Sequence, residues 1–227
     1  MFEQFDTPPE VKKEVLDQYL ADGWYRMGPA IFTTDFLFHH GQLFLVTWLR
    51  YHLSIWEPSK SFHKLEKLNK GFTIEIVPFS ITEAHEALYK KYITTMPPGR
   101  VESLQELLFG NTHENIYESL VIHLYDGSNL VGAGVFDIGE KSAAGITTFY
   151  DPAYKKYSPG RYLIYQKIAY CRQHGYHYFY PGYFAPGIKA FDYKLGMAKE
   201  SIEFFDRHTK EWRTISNFRK EDLPLRG

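Results

Sequence analysis

A single cysteine, Cys171, stands in 227 residues, so the chain has no internal disulfide and no metal cluster built from cysteines. That economy suits a reducing compartment. No apolar run approaches the roughly 20 residues that a membrane-spanning helix needs. The opening MFEQFDTPPEVKKEV lacks the basic end and apolar stretch of a secretory leader. We therefore expect a cytoplasmic protein with no membrane partner. Neither sign of charge dominates, with 26 Lys and Arg against 27 Asp and Glu. No global field advertises nucleic acid, and an anionic partner would need a local patch. A Walker A loop and a Gly-x-Gly-x-x-Gly turn are both missing, so no cofactor is expected. His174 and His177 straddle a helix end and a strand without further ligands at metal spacing, which leaves no metal site.

What the chain has in excess is aromatic surface, 18% of residues, with Tyr and Phe equally numerous. Tyrosines fill cores, but they also line pockets, because each brings area with a polar tip. The pattern along the chain is mixed α/β. Thr7-Pro8-Pro9-Glu10 reads as a helix start, with Val11, Val15 and Tyr19 on one face and Gly23 as the stop. Residues 31–53 read as strands with a turn at His40-Gly41. KSFHKLEKLNKG gathers Lys60, Lys64, Lys67 and Lys70, either a solvated basic face or an anion-binding one. TIEIVPF (73–79) reads as a strand, and Ser80 to Glu83 as a capping box opening a helix through Ala84, Leu88 and Tyr92. A shorter helix is expected at ESLQELLF.

LVIHLY, LVGAGVFDI and GITTFY then follow with tight turns between them, which predicts three antiparallel neighbours. Asp151-Pro152 ends the third. A helix over 161–174 carries Ile164, Ile168 and Cys171 on one stripe, with Cys171 in the core, and YHYFYPGY returns as a strand. This order predicts an α/β acyltransferase-like fold of the Gcn5-related N-acetyltransferase type, a mixed sheet with an N-terminal subdomain. We divide the chain into an N-terminal region over 1–75 and an acyltransferase-like domain over 76–227. In such a fold the start of the helix faces a cleft where two strands splay, a place for a phosphate or an oxyanion.

Four short motifs carry a resemblance: Phe149-Tyr150-Asp151-Pro152, Ser158-Pro159-Gly160, Tyr180-Pro181-Gly182-Tyr183 and Tyr193-Lys194. In order and spacing they resemble the C-terminal signature of arginyl-tRNA–protein transferases and their bacterial leucyl-transferring relatives. Trp56, Pro58, Ser59 and Lys60 echo the N-terminal half of that family. The chain departs from it too. The family's N-terminal cysteine cluster, associated with metal or iron–sulfur binding, is absent from IFTTDFLFHHGQLF. A second family cysteine and a lysine are replaced by Ile188 and Ala190, and Pro159 and Pro181 stand where leucines are usual.

The resemblance implies transfer of arginine or leucine from charged tRNA to the N-terminal amine of an acceptor protein. An ester becomes an amide, so no ATP is needed. The α-amino group, with a pKa of about 8, needs only a modest base. Tyr150 and Asp151 are the candidate catalytic pair; Asp151 either handles the amine proton or simply ends a strand. Tyr180, Gly182, Tyr183, Ser158, Gly160, Tyr193 and Lys194 are the candidate substrate-binding residues. Lys60, Lys64, Lys67, Lys70, Lys155 and Lys156 are the candidate RNA contacts. If Tyr150, Asp151, Tyr180 and Tyr183 share one cleft, the strand must bend at Pro181-Gly182, because alternation sends Tyr180 and Tyr183 to opposite faces. An acyl-CoA-dependent acyltransferase and a non-catalytic binding protein remain alternatives on the same fold.

Overall fold

The computed structural model describes residues 1–112 and 114–214. The N-terminal part contains β1 (Glu3–Asp6), α1 (Lys13–Ala21), β2 (Tyr25–Met27), β3 (Ala30–Thr34), β4 (Phe36–His39), β5 (Gln42–Leu45), β6 (Thr47–His52) and α2 (Lys60–Asn69). Then come β7 (Thr73–Pro78), α3 (Glu83–Ile93), α4 (Leu104–Phe109), β8 (Ser119–Asp126), β9 (Asn129–Ile138) and β10 (Ser142–Tyr150). A 3-10 turn over Pro152–Tyr157 leads to α5 (Pro159–Gln173), β11 (Tyr178–Phe184), α6 (Asp192–Ala198), β12 (Ile202–Asp206) and β13 (Glu211–Thr214).

Eight strands form the central sheet in the order β13-β12-β6-β11-β10-β9-β8-β7, and β1, β3 and β2 form a second, smaller sheet. The expected meander β8-β9-β10 is antiparallel, and β11 returns parallel to β10. The boundary placed after residue 75 falls inside β7. Strand β6, from before that boundary, lies between β11 and β12, so both halves of the chain contribute to one sheet.

Both faces of the sheet are covered, so β9 buries seven consecutive residues, pointing alternately to one face and the other. On one face, Leu163, Ile168 and Cys171 of α5 meet Ile122, Leu124, Phe136 and Phe179, and Phe62 and Leu65 of α2 join them. Each such fully buried side chain contributes about 1.5–3 kcal/mol. On the other face, α3 and α4 pack on Val121, Ala133, Val135 and Phe149. Beside them Leu16 and Leu20 of α1 pack with Ile31, Ala144 and Tyr180.

Local details correct three expectations. Thr7 to Glu10 does not open α1; the cap residue is Lys12. The two prolines hold the preceding chain extended, and the Val11 N–H donates to the Ile116 carbonyl at 2.8 Å. Val15 is accordingly exposed, and Leu16 and Leu20 take the buried stripe. The second capping box exists two residues later than expected: Thr82 Oγ1 accepts from the His85 N–H while His85 Nδ1 accepts from the Thr82 N–H. The helix expected from Arg161 starts at Pro159, whose missing N–H suits the first turn. The His40-Gly41 turn is as expected, with φ of 49° and 75°.

Candidate functional site

Strands β10 and β11 pair only over Ser142–Ala144 with Tyr178–Tyr180, and the ladder goes no further. On its other side β11 shifts register against β6 between Phe179 and Gly182, and Gly182 sits at φ +85°. The break expected at Pro181-Gly182 is therefore there. Tyr25 of β2 plugs the split from the α1 face: its hydroxyl donates to the Gly145 carbonyl and lies 3.3 Å from that of Tyr180. Strand β10 carries a bulge of its own, with Ile146 left over between Gly145, opposite Phe136, and Thr147, opposite Val135.

The split opens into a cleft of about 570 Å³ on the α5 side. Its floor is Gly145 to Thr148 with Phe179 and Pro181, and Tyr92, Tyr150 and Tyr193 stand around it. Ser158, Gly160 and Arg161, the start of α5, close one end. Ser158 adopts a left-handed conformation and makes no side-chain cap. The first turn of a helix carries N–H groups without intrahelical partners, and the helix dipole adds positive potential there. Gly160 is needed for closeness: a Cβ there would lie 3.1 Å from the Tyr150 ring.

The charges of the cleft have one sign. Lys155, Arg161 and Lys167 line it, and no Asp or Glu does among the described residues. Tyr92 is raised to about 12 by burial first and by its tyrosine neighbours Tyr150 and Tyr193 second. Burial alone raises Tyr193 to about 12. Both hydroxyls therefore stay protonated at neutral pH and are available as donors.

Of the residues singled out from the sequence, the cleft brings together Tyr150, Ser158, Gly160, Tyr193 and Lys155. Five of the candidate catalytic and substrate-binding residues lie elsewhere. Asp151 caps the 3-10 turn, accepting from the Ala153 N–H at 3.0 Å and from Lys91 Nζ at 3.0 Å, and it faces a neighbouring hollow with His85 and His123. The turn's N–H and the Lys91 ammonium hold its carboxyl below the usual range, the wrong direction for a base. Tyr180 is buried against Trp212, with Arg50 3.5 Å from its hydroxyl. Tyr183 packs on Trp48 and Phe191. Gly182 faces Tyr25 and Lys194. Lys194 is buried, donates to the Tyr183 carbonyl at 2.6 Å, and is lowered to about 7 by burial. The bend frees β11 from β10, but it does not turn these side chains into the cleft.

The basic residues fall on one side. Lys60, Lys64 and Lys67 are exposed on a single stripe of α2, opposite the buried Phe62, Leu65 and Asn69. Asn69 Nδ2 donates to the Tyr157 carbonyl at 2.9 Å, which ties the end of α2, with Lys70, to the turn that carries Lys155 and Lys156. Sequence reasoning missed Tyr92, Arg161 and Lys167. Arg161 at the helix start was legible as an anion contact; Lys167 lay in a run of apolar residues that gave no sign of its partners.

A cysteine-ligated cluster does not fit this chain. Residues 30–45 form β3 to β5 without a thiol, and Cys171 is buried in the core. Among the described residues no three His, Cys, Asp or Glu side chains gather as a metal set. No described helix is long and apolar enough to cross a membrane.

Residues 84–203 match the family described as Arginine-tRNA-protein transferase, C terminus. A protein of Leptospira interrogans named Aspartate/glutamate leucyltransferase is 29% identical over 95% of this chain and 84% of its own length. A Vibrio cholerae protein of the same name is 29% identical over 85% of this chain and 79% of its own. Among solved structures, L-PGS from Bacillus licheniformis aligns with a TM-score of 0.46 and 13% identity, over 90% of this chain and 65% of that one.

Proposed function

Given that the chain belongs to the arginine-tRNA–protein transferase family and is an aminoacyl-tRNA–protein transferase, we propose that it moves leucine from charged tRNA onto proteins that begin with an acidic residue. The observation that carries this reading is the charge of the cleft. Its apolar walls are Ile146, Ile164, Phe179 and Pro181, and its charged lining is cationic throughout. A leucyl side chain is at home there. An arginyl group would meet like charge at Lys155 and Arg161, with no carboxylate in the lining to pair with it. The same two cations suit an Asp or Glu side chain at the acceptor's first position. The relatives from Leptospira and Vibrio carry names with this pairing.

In this reading the terminal adenosine of the tRNA enters among Tyr92, Tyr150 and Tyr193, with stacking of about 1–3 kcal/mol per base. The tRNA backbone runs along Lys60, Lys64, Lys67 and Lys70 towards Lys155 and Lys156. Transfer then needs little acid–base help, because about a tenth of an α-amine of pKa near 8 is already neutral at pH 7. As the amine attacks the ester carbonyl, the oxygen gains charge, and the first turn of α5 supplies N–H groups to receive it. The ester C–O bond then breaks, the proton shed by the amine passes to the departing ribose oxygen, and the tyrosine hydroxyls donate hydrogen bonds to that oxygen as it leaves. Asp151 has only a structural part, as the cap of the turn before α5. The reaction belongs in the cytoplasm, where charged tRNA is found.

The test is transfer of labelled leucine from leucyl-tRNA to peptides beginning with Asp, Glu, Arg or Ala, beside the same assay with arginyl-tRNA and a titration with CoA. Leucine on the acidic peptides alone is expected. Arginine transferred as readily as leucine would refute the donor assignment. Tight binding of CoA without tRNA binding would turn the reading towards acyl-CoA chemistry.

A further inference from the structure

Lys167 projects from the middle of α5 into the sheet and is 1% exposed. A lysine usually buries its stem and keeps its ammonium in water; here the ammonium is the deepest part. It donates to the Val135 carbonyl at 2.9 Å, the Thr147 carbonyl at 2.8 Å and Thr148 Oγ1 at 2.9 Å. A lysine ammonium has three protons, and each has an acceptor. Burial pulls the group down to about 7, opposed by the charge of Asp137 on β9.

The position of those acceptors gives the contact its meaning. Val135 and Thr147 are the first pair after the β10 bulge, where Ile146 is left over. A bulge loosens its ladder locally and re-aims side chains, and this one forms the floor of the cleft. Gly134 makes room for the lysine: a Cβ there would lie 2.7 Å from Lys167 Cε. We propose that Lys167 is a positioning residue for transfer, whose amine, at the inner wall of the cleft, clamps the bulge and holds Ile146 to Thr148 in the shape that receives the aminoacyl ester. The role rests on the transferase reading for its purpose, but the clamp itself has a readout independent of that reading.

The experiment compares wild type with Lys167→Met, which keeps the apolar stem and removes all three hydrogen bonds. Because a misplacement of about 1 Å costs on the order of a hundredfold in rate, kcat for transfer from leucyl-tRNA is expected to fall by about that factor, with KM for the tRNA unchanged. Amide exchange across 145–150 is expected to quicken about tenfold, while exchange in β7 and α1 stays at its wild-type rate. Unchanged exchange across 145–150 in folded Lys167→Met overturns the proposal, and so does a higher KM at constant kcat. If Lys167→Met does not fold, Thr148→Val, which removes one acceptor at equal volume, takes its place: faster exchange and a lower kcat support the clamp, and wild-type values of both overturn it. Wild-type protein that transfers nothing from charged tRNA would refute the proposed function, and the exchange result would then decide alone whether Lys167 shapes the cleft.

Discussion

Arg26→Met should be among the most damaging single substitutions outside the apolar core. Arg26 lies on β2 and Asp137 on β9, and their side chains are 1% and 0% exposed. The guanidinium donates to Asp137 Oδ1 at 2.9 Å, to the Leu108 carbonyl at 2.7 Å and to the Gly28 carbonyl at 2.9 Å. It also lies 4.3 Å from the centre of the Tyr117 ring. One residue thus joins the small sheet, α4 and the central sheet. Methionine fills similar volume, so the main loss is electrostatic. Asp137 would keep only the Ser119 hydroxyl, at 2.5 Å, with its Oδ2 already lacking a hydrogen-bond partner.

Removing one member of a buried pair costs about 3–5 kcal/mol, because the other charge stays behind unpaired. Against the roughly 5–15 kcal/mol of a whole domain, that is a large share. Burial already raises the Asp137 carboxyl above its ordinary 3.8, opposed by Arg26; without Arg26 it rises further. A carboxyl raised in the folded state holds its proton where the unfolded chain has lost it. Stability therefore falls as pH rises from 3.8 through the folded value, then levels. The deficit of Arg26→Met should be larger at pH 8 than at pH 5. Adding Asp137→Asn removes the stranded charge and should recover about 2 kcal/mol at pH 8. Urea denaturation followed by tryptophan fluorescence reads all four proteins of the cycle. A deficit below about 1 kcal/mol, as for an exposed pair, or a double variant no more stable than Arg26→Met at pH 8, would refute the reasoning.

His85 Nε2 lies 2.8 Å from His123 Nε2, with Tyr125 and Glu75 on the far side of His123. Because the Thr82 N–H occupies His85 Nδ1, His85 Nε2 carries the shared proton. Burial first, and His123 second, lower His85 to about 4, so its contribution is full above pH 6.5 and lost as pH falls towards 4; His85→Leu should flatten that part of the urea midpoint profile. Reversing Lys64 and Lys67 to Glu should weaken tRNA binding and lower the slope of log K against log salt by about 2, and a slope unchanged in filter binding would remove α2 from the RNA path. Asp151→Asn should leave transfer within about threefold of wild type, since the turn geometry survives and no proton passes through it; a hundredfold loss would restore it as a base. Gly134→Ala should cost about 1–3 kcal/mol by overpacking, measured by thermal melting, and should cost less when Lys167→Met is already present.

Much of this protein was legible as a one-dimensional pattern. The meander β8-β9-β10, the helix before β11 and the turn at His40-Gly41 follow from alternation, helical spacing and turn chemistry, all properties of neighbours along the chain. The motifs around Tyr150, Ser158 and Tyr193 marked residues that do reach the cleft. Cation counting gathered Lys60, Lys64, Lys67 and Lys70, and the helix α2 sets the first three on one exposed stripe. The rest depended on which strands pair and where pairing stops. Asp151 and Tyr150 are adjacent in sequence, yet one faces Lys91 and the other the cleft, because the chain turns at Pro152. Tyr180 and Tyr183 were placed by the register shift of β11 against β6, a partner more than a hundred residues earlier. The same holds for the two lysines that carry most of the novelty. Lys194 was expected at the substrate and Lys167 carried no signal at all; only the bulge of β10 and the break in β11, which turn backbone carbonyls towards their amines, let both be buried.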